Sequence, residues 1–371
     1  MPGFWSSSLY HLALTSILLL LQQSYPITIR NKTRLKIGNL NIRDFPLFLA
    51  PMEDITDPSF RMVCKMHGAD FMYTEFISSD GLIRDGAKSV KKLDIYDFER
   101  PIGIQLYGHL IEAMVEAAHI AEEANPELID INFGCPVRKI ANRGAGAGML
   151  LNIPLMIEMT TAIVKAVKLP VTVKTRLGWD ENSNNIVEVA EMLQDTGIQA
   201  LTIHGRSRSQ FYKGTADWTL IGEVKNNPRM RIPVIGNGDI DGPIKAKEMF
   251  DRYGVDGIMI GRATVGRPWI FRDIRHWLEN GEILPEPTVN EKVDIALFHL
   301  DKSLQYKDGN RSVFEMRRHL SNYFKGLPHF KETRLKLLTT LEVDEIKQIL
   351  EEIRKRWGDF RTEDKTPVYT I

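Results

Sequence analysis

The sequence predicts an α/β fold, a TIM (β/α)8 barrel, followed by a small C-terminal all-α helical domain. Eight short apolar segments recur between residues 47 and 260, and stretches of helical periodicity separate them. Several segments are continuously apolar, as expected for parallel strands that are buried on both faces. Eight such units in roughly 230 residues match the usual size of this barrel, about 250 residues. An open, doubly wound sheet is the alternative, but it usually contains fewer units.

The predicted strands are short, and helical periodicity follows most of them. The strands cover residues 47–50, 70–75, 102–106, 128–132, 171–175, 200–204, 233–236 and 256–260. The clearest amphipathic stretches cover residues 111–125, 154–167, 186–196 and 244–253. We therefore place the barrel at residues 35–279.

Beyond the barrel the chain is predicted to contain helices only. Thr288 and Glu291 have the spacing of a capping box, which begins a helix. Apolar residues then recur at helical spacing, and Gly358 follows the last of them as a predicted C-cap. These apolar residues are Val313, Met316, Leu320, Phe324, Val343, Ile346, Leu350, Ile353 and Trp357. We predict a linker at 280–287, a helical domain at 288–360 and a frayed tail at 361–371.

Residues 1–34 belong to neither predicted domain. The apolar run at residues 12–21 is too short to span a bilayer comfortably. It resembles the core of a signal peptide, but no Lys or Arg precedes it, as a signal peptide normally requires. We expect the working protein to begin near Leu35, and we interpret residues 1–34 as a mis-assigned start or a signal-like segment.

Charge and cysteine content limit the classes of function. The 48 Lys and Arg residues balance the 48 Asp and Glu residues, so a nucleic-acid partner would require a localised basic patch. The two cysteines, Cys64 and Cys135, are too few for a disulfide framework or a cysteine-rich metal site. We expect a cytoplasmic protein that acts as a monomer, without a bound metal and without membrane association.

Residues with functional potential stand where the predicted strands end. In this barrel the active site lies at the C-terminal ends of the strands, so these residues are expected to share one rim. Each of them alone would be interpreted as a loop residue, and the joint pattern is what favours a site. They are Pro51, Met52, Glu75, Gln105, Asn132, Cys135, Lys174, Arg176, His204, Asn237, Gly238, Asp239, Gly261 and Arg262.

Glycines follow the last two strands. Gly236 and Gly238 flank Asn237, and Gly261 precedes Arg262. Glycine lets backbone N–H groups approach an anion closely, and the loops after strands seven and eight are the usual phosphate position in this fold. The turns therefore predict a phosphate site with Arg262 as a charged contact. On spacing alone, ordinary turn glycines are an equally good interpretation.

Lys174 and Cys135 are the reactive candidates. Lys174 is predicted at a strand end, where it could form a Schiff base or remain a cation beside a cofactor. Gln105 and His204 suit hydrogen bonding to the edge of a flat heteroaromatic ring. Cys135 sits in a loop that contains Gly and Pro and presents its sulfur. A thiol with the ordinary pKa of about 8.5 is protonated at neutral pH and can act as a general acid.

Basic residues of the helical domain and the barrel rim could form an RNA surface. Arg311, Arg318 and Lys325 repeat every seven residues, which predicts one helix face. A solvated basic face is the usual alternative for such a pattern. Further candidates are Arg138, Lys139, Arg143, Arg206, Arg208, Lys213, Arg317, Lys331, Arg334 and Lys336.

With these motifs the sequence resembles the tRNA-dihydrouridine synthase family, and most of all its bacterial B-type branch. One shared string covers residues 130–136, together with Lys139, and its part with asparagine, glycine, cysteine and proline at 132–136 is the most specific. The other shared strings follow the family's order between Lys36 and Trp357. They lie at residues 50–52, 56–57, 105–108, 173–179, 204–206, 236–240, 260–262 and 268–269.

The resemblance implies FMN as cofactor, NADPH (or NADH) as reductant, and a uridine in the D-loop or elbow region of tRNA as substrate. It implies hydride transfer from the flavin to carbon 6 of uracil and proton donation by Cys135 to carbon 5. Asn132 would contact the target base, and Arg138 and Lys139 would lie near the RNA. The residues assigned to the cofactor are Pro51, Met52, Gln105, Lys174, His204, Asn237, Gly238, Asp239, Gly261 and Arg262.

One departure from the family and three other hypotheses remain. Glu53 and Asp54 follow Met52 where many members have small residues, which leaves the role of Glu53 open. An FMN barrel acting on a free small molecule such as dihydroorotate would give the basic helical domain no role. A Schiff-base enzyme would use Lys174, and an RNA-binding protein without catalysis would not need Cys135 or Lys174.

Overall fold

The computed structural model describes residues 34–307 and 309–362 of the chain. The predicted N-terminal segment before Arg34 and the predicted tail beyond Thr362 lie outside the described residues. Within the described ranges, no helix is long and apolar enough to cross a membrane.

A short antiparallel hairpin precedes the barrel. Its strands are β1 (Leu35–Ile37) and β2 (Leu40–Ile42). Buried side chains of the hairpin pack with the first residues of barrel strands, among them Leu128 and Ala200. The hairpin therefore covers the N-terminal end of the barrel, a feature that the sequence pattern did not predict.

Parallel strands form the barrel. They are β3 (Leu47–Leu49), β4 (Met72–Tyr73), β5 (Ile77–Ser78), β6 (Ile102–Tyr107), β7 (Leu128–Asn132), β8 (Val171–Arg176), β9 (Ala200–His204), β10 (Val234–Asn237) and β11 (Gly257–Ile260). The pairing order is β3-β11-β10-β9-β8-β7-β6-β4. The ring closes where Phe48 pairs with Phe71 and the Leu49 N–H donates to the Phe71 carbonyl at 2.9 Å. The predicted barrel is confirmed.

The second barrel position differs most from its prediction. Residues 70–75 are predicted as one strand, but the chain forms two short strands, β4 and β5, that both pair with β6. Between them, Glu75 Oε1 accepts the backbone N–H of Asp54 at 2.5 Å. The apolar pattern does not reveal this interruption, and the partner of Glu75 there lies 21 residues away in the chain.

Helices alternate with the strands around the barrel. The four clearest predictions agree with α4, α6, α7 and α9 to within two residues at either end. The barrel helices are α1 (Pro58–Met66), α2 (Ser79–Leu82), α3 (Ala87–Lys91), α4 (Ile111–Glu123), α5 (Arg138–Ala141), α6 (Ile153–Ala166), α7 (Ile186–Asp195), α8 (Thr219–Asn226), α9 (Pro243–Tyr253) and α10 (Ile270–Asn280).

A second group of helices follows the barrel and has its own apolar core. The predicted capping box is confirmed, because Thr288 Oγ1 accepts the Glu291 N–H at 3.3 Å and Glu291 Oε2 accepts the Thr288 N–H at 2.7 Å. Trp269 from the end of the barrel packs into the same core. These helices are α11 (Val289–Tyr306), α12 (Gly309–Tyr323), α13 (Lys331–Thr339) and α14 (Val343–Trp357).

One prediction at the ends of these helices is wrong, and a second, the Gly358 C-cap, is confirmed with an unexpected backbone conformation. Because α12 ends at Tyr323, Lys325 lies in the following turn and not on the helix face predicted for it. Gly358 does follow α14, but its φ of −38° is not the left-handed conformation of a glycine cap. A β-carbon at Gly358 would lie 2.7 Å from Asn290 Oδ1, so this glycine permits close packing on α11.

The helices attach to the barrel around α1. The Phe60 ring of α1 stacks on His299 of α11, with a centroid distance of 5.5 Å. Lys307 Nζ donates to the carboxylates of Asp57, which is the N-cap of α1, and of Glu315 on α12. These buried contacts fix the helical group beside one side of the barrel.

We expect Asp57→Asn to reduce the loss of stability on acidification. Burial raises the pKa of Asp57, but Lys307 and His299 lower it more, so its pKa lies well below its ordinary value. The charged carboxylate therefore stabilises the fold above its unfolded pKa, and this stability is lost as pH falls towards the folded pKa. Between about pH 5 and pH 3, the free energy of unfolding measured with urea should fall on the order of 1–2 kcal/mol more in the wild type than in the variant. Asparagine also caps helices, so the variant should keep the N-cap of α1. If the unfolding free energies of both proteins depended equally on pH, the stabilising role of the Asp57 charge would be contradicted.

Candidate functional site

A cavity of about 710 Å³ opens at the C-terminal ends of the barrel strands, opposite the hairpin. Eleven of the residues to which the sequence assigns a role line it, although they come from six different strand ends and the loops that follow them. They are Pro51, Met52, Asn132, Cys135, Lys174, His204, Asn237, Gly238, Asp239, Gly261 and Arg262.

Cys135 lies in a tight loop directly after β7. The amide oxygen of Asn132 accepts the N–H groups of Gly134 and Cys135, both at 2.9 Å. Cys135 lines the cavity although it is only 7% exposed. Burial raises the pKa of its thiol above the ordinary value, so the thiol is protonated at neutral pH. The loop thus presents a proton donor to the cavity.

A buried polar network lies beneath the cavity. Gln105, assigned to the cofactor, donates from Nε2 to Asp130 at 2.6 Å and accepts from Asn132 Nδ2 at 2.8 Å. Thr172 Oγ1 donates to the same Asp130 carboxylate group at 2.5 Å. Burial raises the pKa of Asp130 to about 6 despite these hydrogen bonds. Gln105 therefore lies one layer below the lining, where it orients Asn132.

Lys174 supplies a cation to the cavity wall. Its pKa is lowered to about 8, first by burial and then by the neighbouring charge of Arg176, while Asp130 and Cys135 raise it. Its Nζ has no hydrogen-bond partner among the described residues. The amine is therefore mostly protonated at neutral pH and available to a bound molecule.

Arg176 is a site residue that the sequence placed at a strand end without assigning it a role. Its buried guanidinium donates to Gly134 O at 2.7 Å and to Ser207 O and Phe211 O, both at 3.0 Å. It therefore joins the Cys135 loop to the loop after β9. The sequence could have indicated this residue, because Arg176 follows Lys174 by two positions on one strand and such residues face the same side of a sheet.

Asp239 connects two arginines at the rim. Its carboxylate accepts from Arg206 at 2.7 Å, from Arg262 at 2.9 Å and from the Ala216 N–H at 2.7 Å. Arg206, predicted to contact RNA, is only 1% exposed and also donates to Gly214 O. It supports the loop after β9 from the interior, whereas Arg262 reaches the cavity.

Neutral His204 and exposed Tyr212 flank this rim. Burial, and then the charges of Arg176 and Lys174, hold the pKa of His204 well below its ordinary value. The Tyr212 ring lies 4.9 Å from the Arg262 guanidinium. Tyr212 lines the cavity, but no spacing in the sequence indicated it.

The predicted glycine turns differ in their roles. Gly238 has φ +130°, and a β-carbon there would lie 2.6 Å from the Ala216 β-carbon, so only glycine fits this part of the cavity wall. At Gly236 a β-carbon would lie 2.1 Å from the Trp218 ring. Gly236 therefore makes room for the Trp218 ring, whereas Gly238 lines the cavity with backbone, which suits an anion.

Glu53, whose role the sequence left open, lies at the cavity edge beside two lysines. Its carboxylate contacts Lys92 Nζ at 2.6 Å and Lys88 Nζ at 3.7 Å. Carboxylate oxygens of Glu53, Asp54 and Glu75 lie within 4.8 Å of one another. The lysine contacts balance this acidic group, and we assign it no ion.

The predicted RNA residues occupy two exposed positions near the cavity. Arg138 and Lys139 are exposed on α5, the short helix that follows the Cys135 loop. Arg311 and Arg318 are exposed on α12, and Arg318 Nη1 donates to Asp54 O at 3.3 Å. The α12 surface therefore borders the loop that carries Glu53.

Known proteins resemble this chain in sequence. The sequence profile of the family described as Dihydrouridine synthase (Dus) matches residues 48–356. A probable tRNA-dihydrouridine synthase of Rickettsia prowazekii is 40% identical over 301 residues, which are 81% of this chain and 91% of the relative. The tRNA-dihydrouridine synthase B of Pseudomonas putida is 40% identical over 300 residues, which are 81% of this chain and 88% of the relative.

Solved structures show a similar fold at low sequence identity. Histamine dehydrogenase from Rhizobium sp. 4-9 has a TM-score of 0.53 and 12% identity, with 88% of this chain and 64% of that chain covered. The amine oxidase HisD of Pseudomonas geniculata has a TM-score of 0.51 and 13% identity, with 71% and 52% covered.

Proposed function

Because this chain belongs to the dihydrouridine synthase family, we propose that it reduces a uridine in the D-loop of tRNA to 5,6-dihydrouridine, with FMN as cofactor and NADPH as reductant. The observation that carries the proposal is the meeting of Cys135, Lys174 and the Gly238 turn around one cavity. A protonated thiol, a cation and an anion cradle are the groups that this reaction requires.

The residues of the cavity fit a flavin mononucleotide. Gly238 and Gly261 line the cavity, where their backbone would approach the phosphate, and Arg262 would contact it. Lys174 and the neutral His204 would meet the ring edge, and Lys174 lacks a protein partner among the described residues. When bound, the flavin would supply the hydride that adds to carbon 6 of uracil.

Cys135 would complete the reduction by donating its proton to carbon 5 from the opposite side of the base. Breaking the S–H bond leaves a thiolate, which takes a proton from solvent before the next turnover. Asn132 holds the donor in place through the N–H groups of Gly134 and Cys135. Asn132 also lines the cavity, where its side chain would contact the base.

Contacts with the RNA have to offset the free-energy cost of extruding the uridine. A base inside folded RNA leaves its stack at a cost of a few kcal/mol before it can enter such a cavity. Arg138 and Lys139 on α5 and Arg311 and Arg318 on α12 are exposed on either side of the site. Phosphate contacts by these residues would supply that energy and would weaken with salt.

The proposal is tested with purified protein and tRNA from a strain that lacks the enzyme. We expect a yellow protein that forms dihydrouridine in the tRNA with NADPH, with NADH compared as reductant, and sequencing of the product would name the D-loop position. A colourless protein that does not bind added FMN would overturn the proposal. Reduction or oxidation of dihydroorotate without any action on tRNA would favour a free pyrimidine substrate, and borohydride trapping at Lys174 would favour a Schiff base.

We further propose that the protein acts as a cytoplasmic monomer. The site is built from residues of one chain, so no second copy is needed to complete it. Sedimentation at the concentrations of the activity assay should give the mass of a single chain. Activity confined to a dimer fraction would contradict this proposal.

Arg318→Glu is expected to weaken tRNA binding about tenfold or more, and flavin reduction by NADPH should not change. The substitution replaces an exposed positive charge with a negative one beside the Glu53 loop. Arg252→Glu is a matched control, because Arg252 lies in the last turn of α9, at the covered end of the barrel. If Arg318→Glu and Arg252→Glu bound tRNA with equal affinity, α12 would not be part of the RNA-binding surface.

A further inference from the structure

One face of α12 exposes an aromatic ring between two arginines. Arg311, Phe314 and Arg318 are spaced by three and four residues, and all three are exposed. This spacing places them on one side of the helix. Val313, Met316 and Leu320, on the other side, are buried in the core of the helical group. The Phe314 side chain is therefore not required to fill that core.

Phe314 is held in position while its surface stays accessible. The residue is 51% exposed. The guanidinium of Arg317 lies 4.6 Å from the centroid of its ring, and Arg317 Nη2 donates to Thr339 O at 3.3 Å. Arg317 is thus fixed to the end of α13 and in turn restrains the ring. A restrained, accessible ring loses little freedom when another flat group stacks on it.

The surroundings of the ring are positive. Arg311, Arg317 and Arg318 surround Phe314 on the helix. The carboxylate on the same helix, Glu315, is already contacted by Lys307 and by Arg311, the latter at 2.8 Å, and the charges of Asp54 and Glu75 lie on the barrel side of Arg311. The partner that fits this surface is an anion that also carries a flat apolar face. A nucleobase flanked by phosphates has both properties.

The surface also lies beside the mouth of the cavity. Arg318 Nη1 donates to Asp54 O at 3.3 Å, and the preceding residue, Glu53, lines the cavity. Seven residues of helix separate Arg311 from Arg318, which is about 10 Å along the axis. A segment of RNA that inserts one base into the cavity would therefore pass close to Phe314.

We propose that Phe314 is a stacking platform for an unpaired base of the RNA, with Arg311 and Arg318 contacting the phosphates on either side of that base. The inference rests on the proposed function and adds to it. The helical group would recognise an unstacked nucleotide close to the target uridine, and not only the charge of the RNA backbone. An unpaired base can offer its ring to a side chain, whereas a base inside a duplex cannot.

The test compares four variants in tRNA binding and turnover. Phe314→Ala is expected to raise the Kd for tRNA, and KM, by about 5- to 100-fold, the range for loss of one stacked base, with kcat and flavin reduction unchanged. Phe314→Tyr and Phe314→Trp should restore affinity, because both keep a ring. Phe314→Leu should not, because it keeps apolar area alone.

Two controls separate stacking from charge and from general surface effects. Leu335→Ala removes an apolar side chain of the same helical group that is 65% exposed, and it should leave the Kd unchanged. Phe314→Ala should keep the wild-type salt dependence of binding, whereas Arg318→Ala should reduce its slope. A tRNA that lacks the stacked base should bind wild type and Phe314→Ala equally.

The outcomes also distinguish this inference from the proposed function. If the wild-type protein does not act on tRNA, the proposed function fails first. If the wild type is active and Phe314→Ala, with an unchanged unfolding midpoint, binds tRNA normally, only the platform is excluded. Full activity of Phe314→Leu would likewise exclude stacking. If Phe314→Ala changed the mass of the assembly in solution without changing tRNA affinity, Phe314 would instead contact a second copy of the chain.

Discussion

Cys135→Ala should leave FMN bound and reduce turnover on tRNA by about 10²- to 10⁴-fold, the usual contribution of a general acid. The thiol lines the cavity, and its raised pKa keeps it protonated at neutral pH. Alanine removes the donor, while the hydrogen bonds from Gly134 and residue 135 to Asn132 involve only backbone N–H groups. The variant should therefore keep its loop, and single-turnover assays should show flavin reduced by NADPH but not reoxidised by tRNA.

The second cysteine provides the matched control. Cys64 is fully buried on α1, within the main core. Cys64→Ala is expected to lower stability by about 1 kcal/mol or more because it leaves a small cavity, without changing kcat. Unchanged kcat in Cys135→Ala would exclude the thiol as donor. Loss of flavin from Cys135→Ala would instead show that the loop supports cofactor binding.

Lys174→Met should slow the reduction of bound flavin by NADPH by about 10²-fold, comparable to the removal of one preorganised donor at a reacting charge. The Nζ group has no protein partner among the described residues and lines the cavity. Methionine keeps most of the side-chain volume and removes the charge. Stopped-flow absorbance of the flavin bands measures this step without tRNA.

The pH dependence provides a second measurement of the same residue. Because the pKa of Lys174 is about 8, its amine is charged below that pH and loses its proton above it. Flavin reduction in the wild type should fall as pH rises through about 8, and Lys174→Met should lose that transition. Lys139→Met, at an exposed lysine on α5, should reduce flavin normally but bind tRNA more weakly. Identical pH profiles for wild type and Lys174→Met would contradict the assigned role.

Strand ends and helix starts could be predicted because their signals are local. A buried parallel strand is continuously apolar, so the point at which Lys174, His204 or Asn237 interrupts the pattern marks the rim. The Thr288 capping box likewise depends on residues three apart. Each of these features can be seen within one short segment.

The depth of a side chain below the rim could not be predicted in this way. Gln105 and Arg206 stand at sequence positions that predict exposure at the rim, but both are buried. Gln105 binds Asp130 below the cavity, and Arg206 binds Asp239 from the interior side of the loop after β9. Their partners lie 25 and 33 residues away in the chain. Lys325 shows a different limit, since a seven-residue repeat indicates one face only while the helix continues.

The hydrogen bonds of Asn132 connect the Cys135 loop to the interior of the barrel. Gln105 and Asp130, which do not line the cavity, hold this amide in place, and the amide in turn holds the backbone of Cys135. If the proposed function holds, exposed residues of α5 and α12 can therefore change while Cys135 keeps its position. Substitutions on α5 and α12 should therefore be able to redirect the enzyme to a different nucleotide. Substitution of Asn132, Gln105 or Asp130 should instead inactivate it.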